Sequence, residues 1–172
     1  MTFVAVQALT GRVVFCTGHR PDKLGGYATS YLGHSPKRAN TLRYIYETLQ
    51  RNRPTLLIVG MAQGWDQWVA AAASDAGIPF EAFVPFVNQP KPSPLGAQLD
   101  YRKLLGKAAK VVQCWIGAPA TFSLPQLYQR RNEQMVDAGE VGWACWDGSP
   151  GGTANCINYA VVCGKPIVRY TP

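Results

Sequence analysis

Charged residues, histidines and long apolar runs are all scarce in this chain of 172 residues. Only 16% of its residues are charged and 47% are hydrophobic, which excludes a disordered chain. No uninterrupted apolar run approaches the roughly 18 residues of a membrane span. The apolar start of the chain lacks a basic leader and a cleavage site of small residues, so a signal peptide is not predicted. We therefore expect a cytoplasmic protein that binds no membrane.

Metal-ligating side chains are few and poorly spaced. The five cysteines form no C-x-x-C pair, and the chain has two histidines. A zinc site needs close pairs of thiols or imidazoles. The sequence therefore predicts no metal site and no cofactor, and we interpret the cysteines as reduced, mostly buried thiols.

The charge is strongly positive despite the small number of charged residues. Seventeen Lys and Arg against ten Asp and Glu give a net charge of +7 and a pI of about 9.3. This balance indicates an anionic partner. The basic residues are scattered, which favours a phosphorylated small molecule and leaves nucleic acid as the weaker alternative.

Short β-rich runs alternate with helical stretches along the chain. We predict strands at 12–17, 55–59, 80–84, 110–115, 141–146 and 166–170, and helices from 36, 66–76, 96–109, 125–138 and 153–164. This alternation predicts an α/β, Rossmann-like three-layer sandwich: a mainly parallel sheet with helices on both faces. We expect one domain over 1–172, with a long loop at 18–34 and a proline-rich loop at 88–95.

In such folds ligands lie beyond the carboxyl ends of the strands. Glycine lets the backbone approach a ligand, and a helix N-terminus offers unpaired N–H groups. We therefore predict a binding site from the residues after the strands. They are Gly18, His19 and Arg20; Gly60, Met61, Ala62, Gly64 and Asp66; Pro85 and Gln89; and Asp147, Gly148, Gly151, Gly152, Thr153 and Asn155.

Several of these residues allow two interpretations. The turn at 151–153 is either a phosphate cradle or a tight strand-to-helix connection. Asp66 either caps its helix or accepts hydrogen bonds from ribose hydroxyls. His19 is either structural or a proton-transfer group. Trp65 either packs in the core or stacks on a base.

Arg131 lies on the apolar stripe of its predicted helix. The stripe consists of Leu124, Leu127, Tyr128, Met135 and Ala138. A charge that points inward needs a partner. That partner is either an internal carboxylate or a bound phosphate or carboxylate, because a guanidinium matches both. Arg130 is rotated by about 100° from it and is expected in solvent.

Five blocks in order carry a resemblance to a known family. They are TGHRPDKLGGY at 17–27, GMAQGWDQWVAAA at 60–72, VPFVNQ at 84–89, RRNEQMVD at 130–137 and WDGSPGGTANCINYA at 146–160. Together they resemble the YpsA-like branch of the SLOG superfamily, which consists of Rossmann-like domains related to Lonely Guy enzymes and to the domain of DprA. The resemblance implies a nucleotide or nucleotide-derived ligand over the strand ends. It also implies a homodimer.

Lonely Guy enzymes cleave the N-glycosidic bond of nucleoside monophosphates. Arg131, Asn132 and Met135 echo one part of their motif, and Gly152-Thr153 matches its Gly-Thr. The positions of the family's two glutamates hold Asn155 and Cys156 here, and neither is a carboxylate. No catalytic residue is assigned. Asp66, Asp147 and Glu133 are the carboxylates that would have to substitute.

Three functions remain open at this point. The leading hypothesis is a sensor or sponge that binds a nucleotide signal, since SLOG domains are associated with such signals in bacterial conflict systems; a phage or defence-related role follows. The second is a phosphoribohydrolase. The third is a module that handles single-stranded DNA, like the DprA domain.

Overall fold

The computed structural model describes residues 2–27, 35–86, 94–116 and 122–172. The strands are β1 (Val13–Gly18), β2 (Leu56–Val59), β3 (Phe80–Val84), β4 (Lys110–Gln113), β5 (Val141–Cys145) and β6 (Ile167–Tyr170). The helices are α1 (Pro36–Asn52), α2 (Trp65–Asp75), α3 (Leu95–Leu105), α4 (Leu124–Ala138) and α5 (Gly152–Val162).

All six strands form one parallel sheet in the order β4-β3-β2-β1-β5-β6. The chain moves outward from β1 to β4 and then returns to the other side of β1 for β5 and β6. This reversal opens a crevice at the carboxyl ends of β1 and β5, where ligands of such sheets bind. The α/β, Rossmann-like fold predicted from the sequence is confirmed.

Side chains of the central strand β1 alternate between two apolar layers, as the period of a strand requires. Val14 and Cys16 join the core formed with α1, α2 and α3. Phe15 joins the core formed with α4 and α5. All three residues are fully buried, so the centre of the sheet is covered on both faces.

Local sequence sets where two helices begin. The Ser35 hydroxyl accepts the Arg38 N–H at 3.2 Å, and Pro36 occupies the first helical position of α1. The Ser123 N–H donates to Gln126 Oε1 at 2.8 Å before α4. Both contacts satisfy groups that a helix start leaves unpaired.

Some boundaries differ from the prediction. Helix α3 ends at Leu105 rather than 109, because the Ala109 N–H donates to the Phe80 carbonyl at 2.8 Å and already belongs to the sheet. Residues Pro21–Lys23 form a short 3-10 turn inside the predicted long loop. The segments 28–34 and 88–93 of the two predicted loops lie outside the described residues. A contact that was not predicted joins the Val4 N–H to the Ile167 carbonyl at 2.9 Å.

In the part of the chain that the structure describes, no helix combines the length and apolar character needed to cross a bilayer. The same ranges contain no group of three or more His, Cys, Asp or Glu side chains arranged to hold a metal ion.

Helix α5 provides a test of the core packing. Ile157 is fully buried, whereas Val162 on the same helix is 84% exposed. We expect Ile157→Ala to lower the free energy of unfolding by about 2–5 kcal/mol, because it leaves a cavity. Val162→Ala should change it by less than about 0.5 kcal/mol. Urea unfolding of both variants measures the difference, and equal losses would contradict this packing.

Candidate functional site

A cavity of about 430 Å³ opens at the crevice between the ends of β1 and β5. Its walls come from the loops after β1, β2 and β5 and from one side of α4. The predicted residues that line it are Gly18, His19, Arg20, Ala62, Asp66, Arg131, Asn132, Gly151, Gly152, Thr153 and Asn155. Sheet topology therefore brings together residues that lie far apart in sequence.

Other predicted residues do not line this cavity. Gly60, Met61 and Pro85 are buried. Gly64 packs against the loop after β1, where an added Cβ would lie 2.6 Å from the His19 carbonyl oxygen. The remaining ones are Asp147 and Gly148, which are exposed in the loop after β5, and Gln89, which lies outside the described residues.

Arg131 points inward, as its spacing predicts, and is only 6% exposed. Its Nη1 donates to the Gly60 carbonyl, and its Nε donates to Asn132 Oδ1 at 3.0 Å. A guanidinium carries five N–H donors, so further donors remain for a ligand. The predicted apolar stripe was wrong at both of its ends, because Leu124 is 57% exposed and Ala138 is also exposed.

Asp66 lies in the first turn of α2 and is 5% exposed. Its Oδ2 accepts the Ala62 N–H at 3.3 Å. Burial raises the pKa of Asp66 to about 6, although the Arg131 guanidinium and the Ala62 N–H favour the charged form. A Cβ on Gly60 would lie 2.8 Å from Asp66 Oδ2 and 2.6 Å from Arg131 Cζ. The carboxylate and the guanidinium therefore converge on Gly60.

The start of α5 contributes backbone donors to the cavity. Gly151 precedes the helix with a φ of 141°, which favours glycine, and makes no side-chain cap. The first turn contains no acidic residue. The first amides of a helix have no partner within it. At this end the N–H groups and the helix dipole therefore favour an anion.

The loops after β1 and β5 are bonded to each other. The Asp147 N–H donates to His19 Nε2 at 2.9 Å. Lys23 Nζ donates to Asp147 Oδ2 at 3.3 Å and also to Ser149 Oγ. Burial lowers the pKa of His19, which suits its role as an acceptor. Hydrogen bonds from Ser149 hold the pKa of Asp147 well below its usual range. These contacts fix the wall of the cavity.

Trp65 packs in the core rather than facing the cavity. It is fully buried and meets Trp143 edge to face, with ring centroids 5.0 Å apart. A Cβ on Gly18 would lie 2.6 Å from the Cβ of Trp65. Of the two interpretations of this tryptophan, the structure shows the packing one.

The positions aligned with the Lonely Guy glutamates face opposite ways. Asn155 is exposed and lines the cavity. Cys156 is fully buried in the core, and burial raises its pKa to about 12. Glu133 accepts a hydrogen bond from Gln129 at 3.0 Å and does not line the cavity. Asp66 is therefore the carboxylate of the three proposed substitutes that reaches the cavity.

Part of the cavity lining was not predicted from the sequence. Tyr128 lies between two arginines, with its ring centroid 6.0 Å from Arg20 Cζ and 5.8 Å from Arg131 Cζ. Its position three residues before Arg131 would have indicated a shared face. The other missed residues are Thr17, Asp22, Lys23, Pro125, Gln129, Ser149, Pro150 and Ala154.

The buried Asp66 carboxyl predicts a pH dependence of stability. Its pKa of about 6 in the folded chain exceeds the unfolded value of about 4. The folded state then binds the proton more tightly, so this group lowers stability as pH rises from about 4 to about 6, by on the order of 3 kcal/mol.

We expect Asp66→Asn to remove this dependence. Its melting temperature relative to the natural protein should rise between pH 4 and pH 7, as measured by thermal unfolding across that range. The exposed Asp100→Asn on α3 controls for the loss of one negative charge. Burial of the carboxylate would be contradicted if the difference in melting temperature between Asp66→Asn and the natural protein did not change with pH.

Solved structures share this fold at low sequence identity. TM1055 superposes with a TM-score of 0.57 at 17% identity, covering 91% of this chain and 72% of that one. DNA processing protein A (DprA) of Streptococcus pneumoniae superposes with a TM-score of 0.59 at 14% identity. The match covers 95% of this chain, which spans about half (51%) of the length of that protein. DprA of Helicobacter pylori, whose structure is described for its single-stranded DNA binding mode, superposes with a TM-score of 0.56 at 14% identity. That match covers 98% of this chain and 69% of the Helicobacter protein.

One curated relative is similar in sequence. It is an uncharacterized SPbeta prophage-derived protein, YoqJ, of Bacillus subtilis (strain 168), and it is 30% identical over 132 residues. The match covers 69% of this chain and 77% of YoqJ. No protein-family model matches the chain. At this identity and coverage, the chain belongs to the family of the prophage-derived protein YoqJ.

Proposed function

We propose that the protein binds a nucleotide or nucleotide-derived small molecule in the cavity between β1 and β5, and acts as a sensor or sponge for it. One observation carries the proposal: the uncapped start of α5 and the buried Arg131 line the same 430 Å³ cavity. Helix amides and a guanidinium both bind phosphate. We also infer that the chain lies in the YpsA-like branch of the SLOG superfamily.

The polar groups of the cavity suit the phosphate and the sugar of a nucleotide. The phosphate is placed at Gly151, Gly152 and Thr153, next to Arg131. The sugar is placed near Asp66, whose carboxylate would repel a phosphate but accepts hydrogen bonds from hydroxyls. Tyr128 offers a ring at the rim on which a base can stack.

The direct test is native mass spectrometry with nucleoside monophosphates, cyclic dinucleotides and ADP-ribose derivatives. We expect one molecule held per cavity and released at its original mass. A free base together with ribose 5-phosphate would instead show hydrolysis, and no retained ligand from any class would overturn the proposal.

Substitution at Gly152 tests the helix amide itself. Gly152 is the first residue of α5, and an added Cβ meets no atom within 4 Å. Proline is tolerated at this position but has no N–H. With AMP as the probe, we expect Gly152→Pro to weaken binding by about tenfold or more, because it removes one charge-assisted hydrogen bond.

Gly152→Ala is the matched control, since it adds a Cβ and keeps the N–H. A second pair lies on α4: Arg131→Ala should abolish AMP binding, whereas the exposed Arg130→Ala should not. Isothermal titration calorimetry measures all four variants. Equal affinities of Gly152→Pro and Gly152→Ala would contradict phosphate binding at this helix end.

Asp66 favours a second candidate, a phosphoribohydrolase. A buried carboxyl that lines the cavity and has a pKa of about 6 is suited to donate a proton to a leaving base near neutral pH. If the protein releases base from AMP, Asp66→Asn should abolish turnover while AMP remains bound. Chromatography of the products measures this, and unchanged turnover would exclude Asp66 as the acid.

The fold and the charge support a third candidate, single-stranded DNA binding. DprA of Helicobacter pylori shares the fold, and the chain carries a net charge of +7. The affinity for DNA would then fall by about one log unit per log unit of salt concentration for each phosphate contacted. A titration with a thymidine oligonucleotide at several salt concentrations measures this slope.

A further inference from the structure

A second cavity, of about 780 Å³, lies between α2 and α3 on the opposite side of the β1 and β2 loops. We call it the α2–α3 cavity. The two cavities have no described lining residue in common. Gly64 and Pro21 belong to the partition, where a Cβ on Gly64 would lie 3.0 Å from Pro21 Cδ. Because the two sets of lining residues differ, the α2–α3 cavity is a separate site.

Three cations line the α2–α3 cavity. They are Arg38 of α1, Lys103 of α3 and Lys107, which follows α3. No ion pair within the described ranges includes any of them. The Nε of Arg38 is buried without a hydrogen-bond acceptor. Lys103 and Lys107 are exposed, so an anionic ligand in the cavity can reach both ammonium groups and pair with them.

An aromatic surface lies beside these cations. The Arg38 guanidinium carbon is 5.1 Å from the ring centroid of Trp68, which lines the same cavity. Stacking on the indole holds the guanidinium in one orientation. Tyr27 adds a second ring that is 53% exposed. Aromatic faces beside cations bind the base and the phosphate of nucleotides without strong preference for sequence.

We propose that the α2–α3 cavity is a second binding site, for a nucleoside phosphate. The phosphate lies at Arg38, Lys103 and Lys107, and the base packs on the rings. Asp100 on the same wall offers an acceptor for sugar hydroxyls. The volume lies within the roughly 300–1,000 Å³ typical of small-molecule sites. This proposal does not depend on the function assigned to the first cavity.

Equilibrium dialysis with ADP tests the second site. We expect two ADP molecules per natural chain and one in the double variant Lys103→Ala/Lys107→Ala, whose affinity at this site should fall at least about tenfold. The control is Arg43→Ala/Arg102→Ala, which removes two exposed cations that line neither cavity. Trp68→Phe keeps a ring and should retain binding.

The variants separate this site from the first one. If the first cavity binds no nucleotide, the natural chain takes up one ADP, which Lys103→Ala/Lys107→Ala abolishes and Gly152→Pro leaves intact. A parallel arm with a short thymidine oligonucleotide shows whether the nucleoside phosphate is free or part of a strand. The proposal is overturned if the Lys103→Ala/Lys107→Ala variant binds both probes as tightly as the Arg43→Ala/Arg102→Ala control.

Discussion

The buried guanidinium of Arg131 bonds to the Gly60 carbonyl, and this contact joins α4 to the end of β2. Removing a guanidinium from water is unfavourable unless its donors and its charge are satisfied. Asn132 Oδ1 accepts a hydrogen bond from the Arg131 Nε, and the Asp66 carboxylate lies near the guanidinium. A side chain at position 60 would overlap both charged groups. The glycine is therefore required by the arginine, and the floor of the cavity depends on the pair.

Charge is distributed unevenly around this floor. The start of α5 and Arg131 are positive, whereas Asp66 places a carboxyl of raised pKa close to the Arg131 guanidinium. A ligand that carries both an anionic group and hydroxyls satisfies the cations and the carboxyl at once. Most of the protein's excess positive charge lies elsewhere, and three of those cations line the α2–α3 cavity. The low charge content of the sequence therefore conceals two local concentrations of charge.

Sequence pattern predicted the elements well, because apolar strand runs and capped helix starts are local features. It also predicted that Arg131 points inward. It failed where tertiary contacts decide: the Ala109 N–H pairs with β3 and shortens α3. Tyr128 was assigned to a core stripe, since an aromatic ring on an apolar face has the same spacing whether it packs or lines a cavity. Lys103 and Lys107 have the spacing of a solvated helix face, and that spacing is the same whether lysines face open solvent or line a cavity.

The position of β5 beside β1 has a consequence during synthesis on the ribosome. The bond from the Asp147 N–H to His19 spans 128 residues. Until β5 has emerged, β1 pairs with β2 alone and its other edge stays open, and such open edges promote aggregation. Loop closure over so long a span also slows folding. A nascent chain stalled before β5 would therefore need a chaperone more than one released after α5.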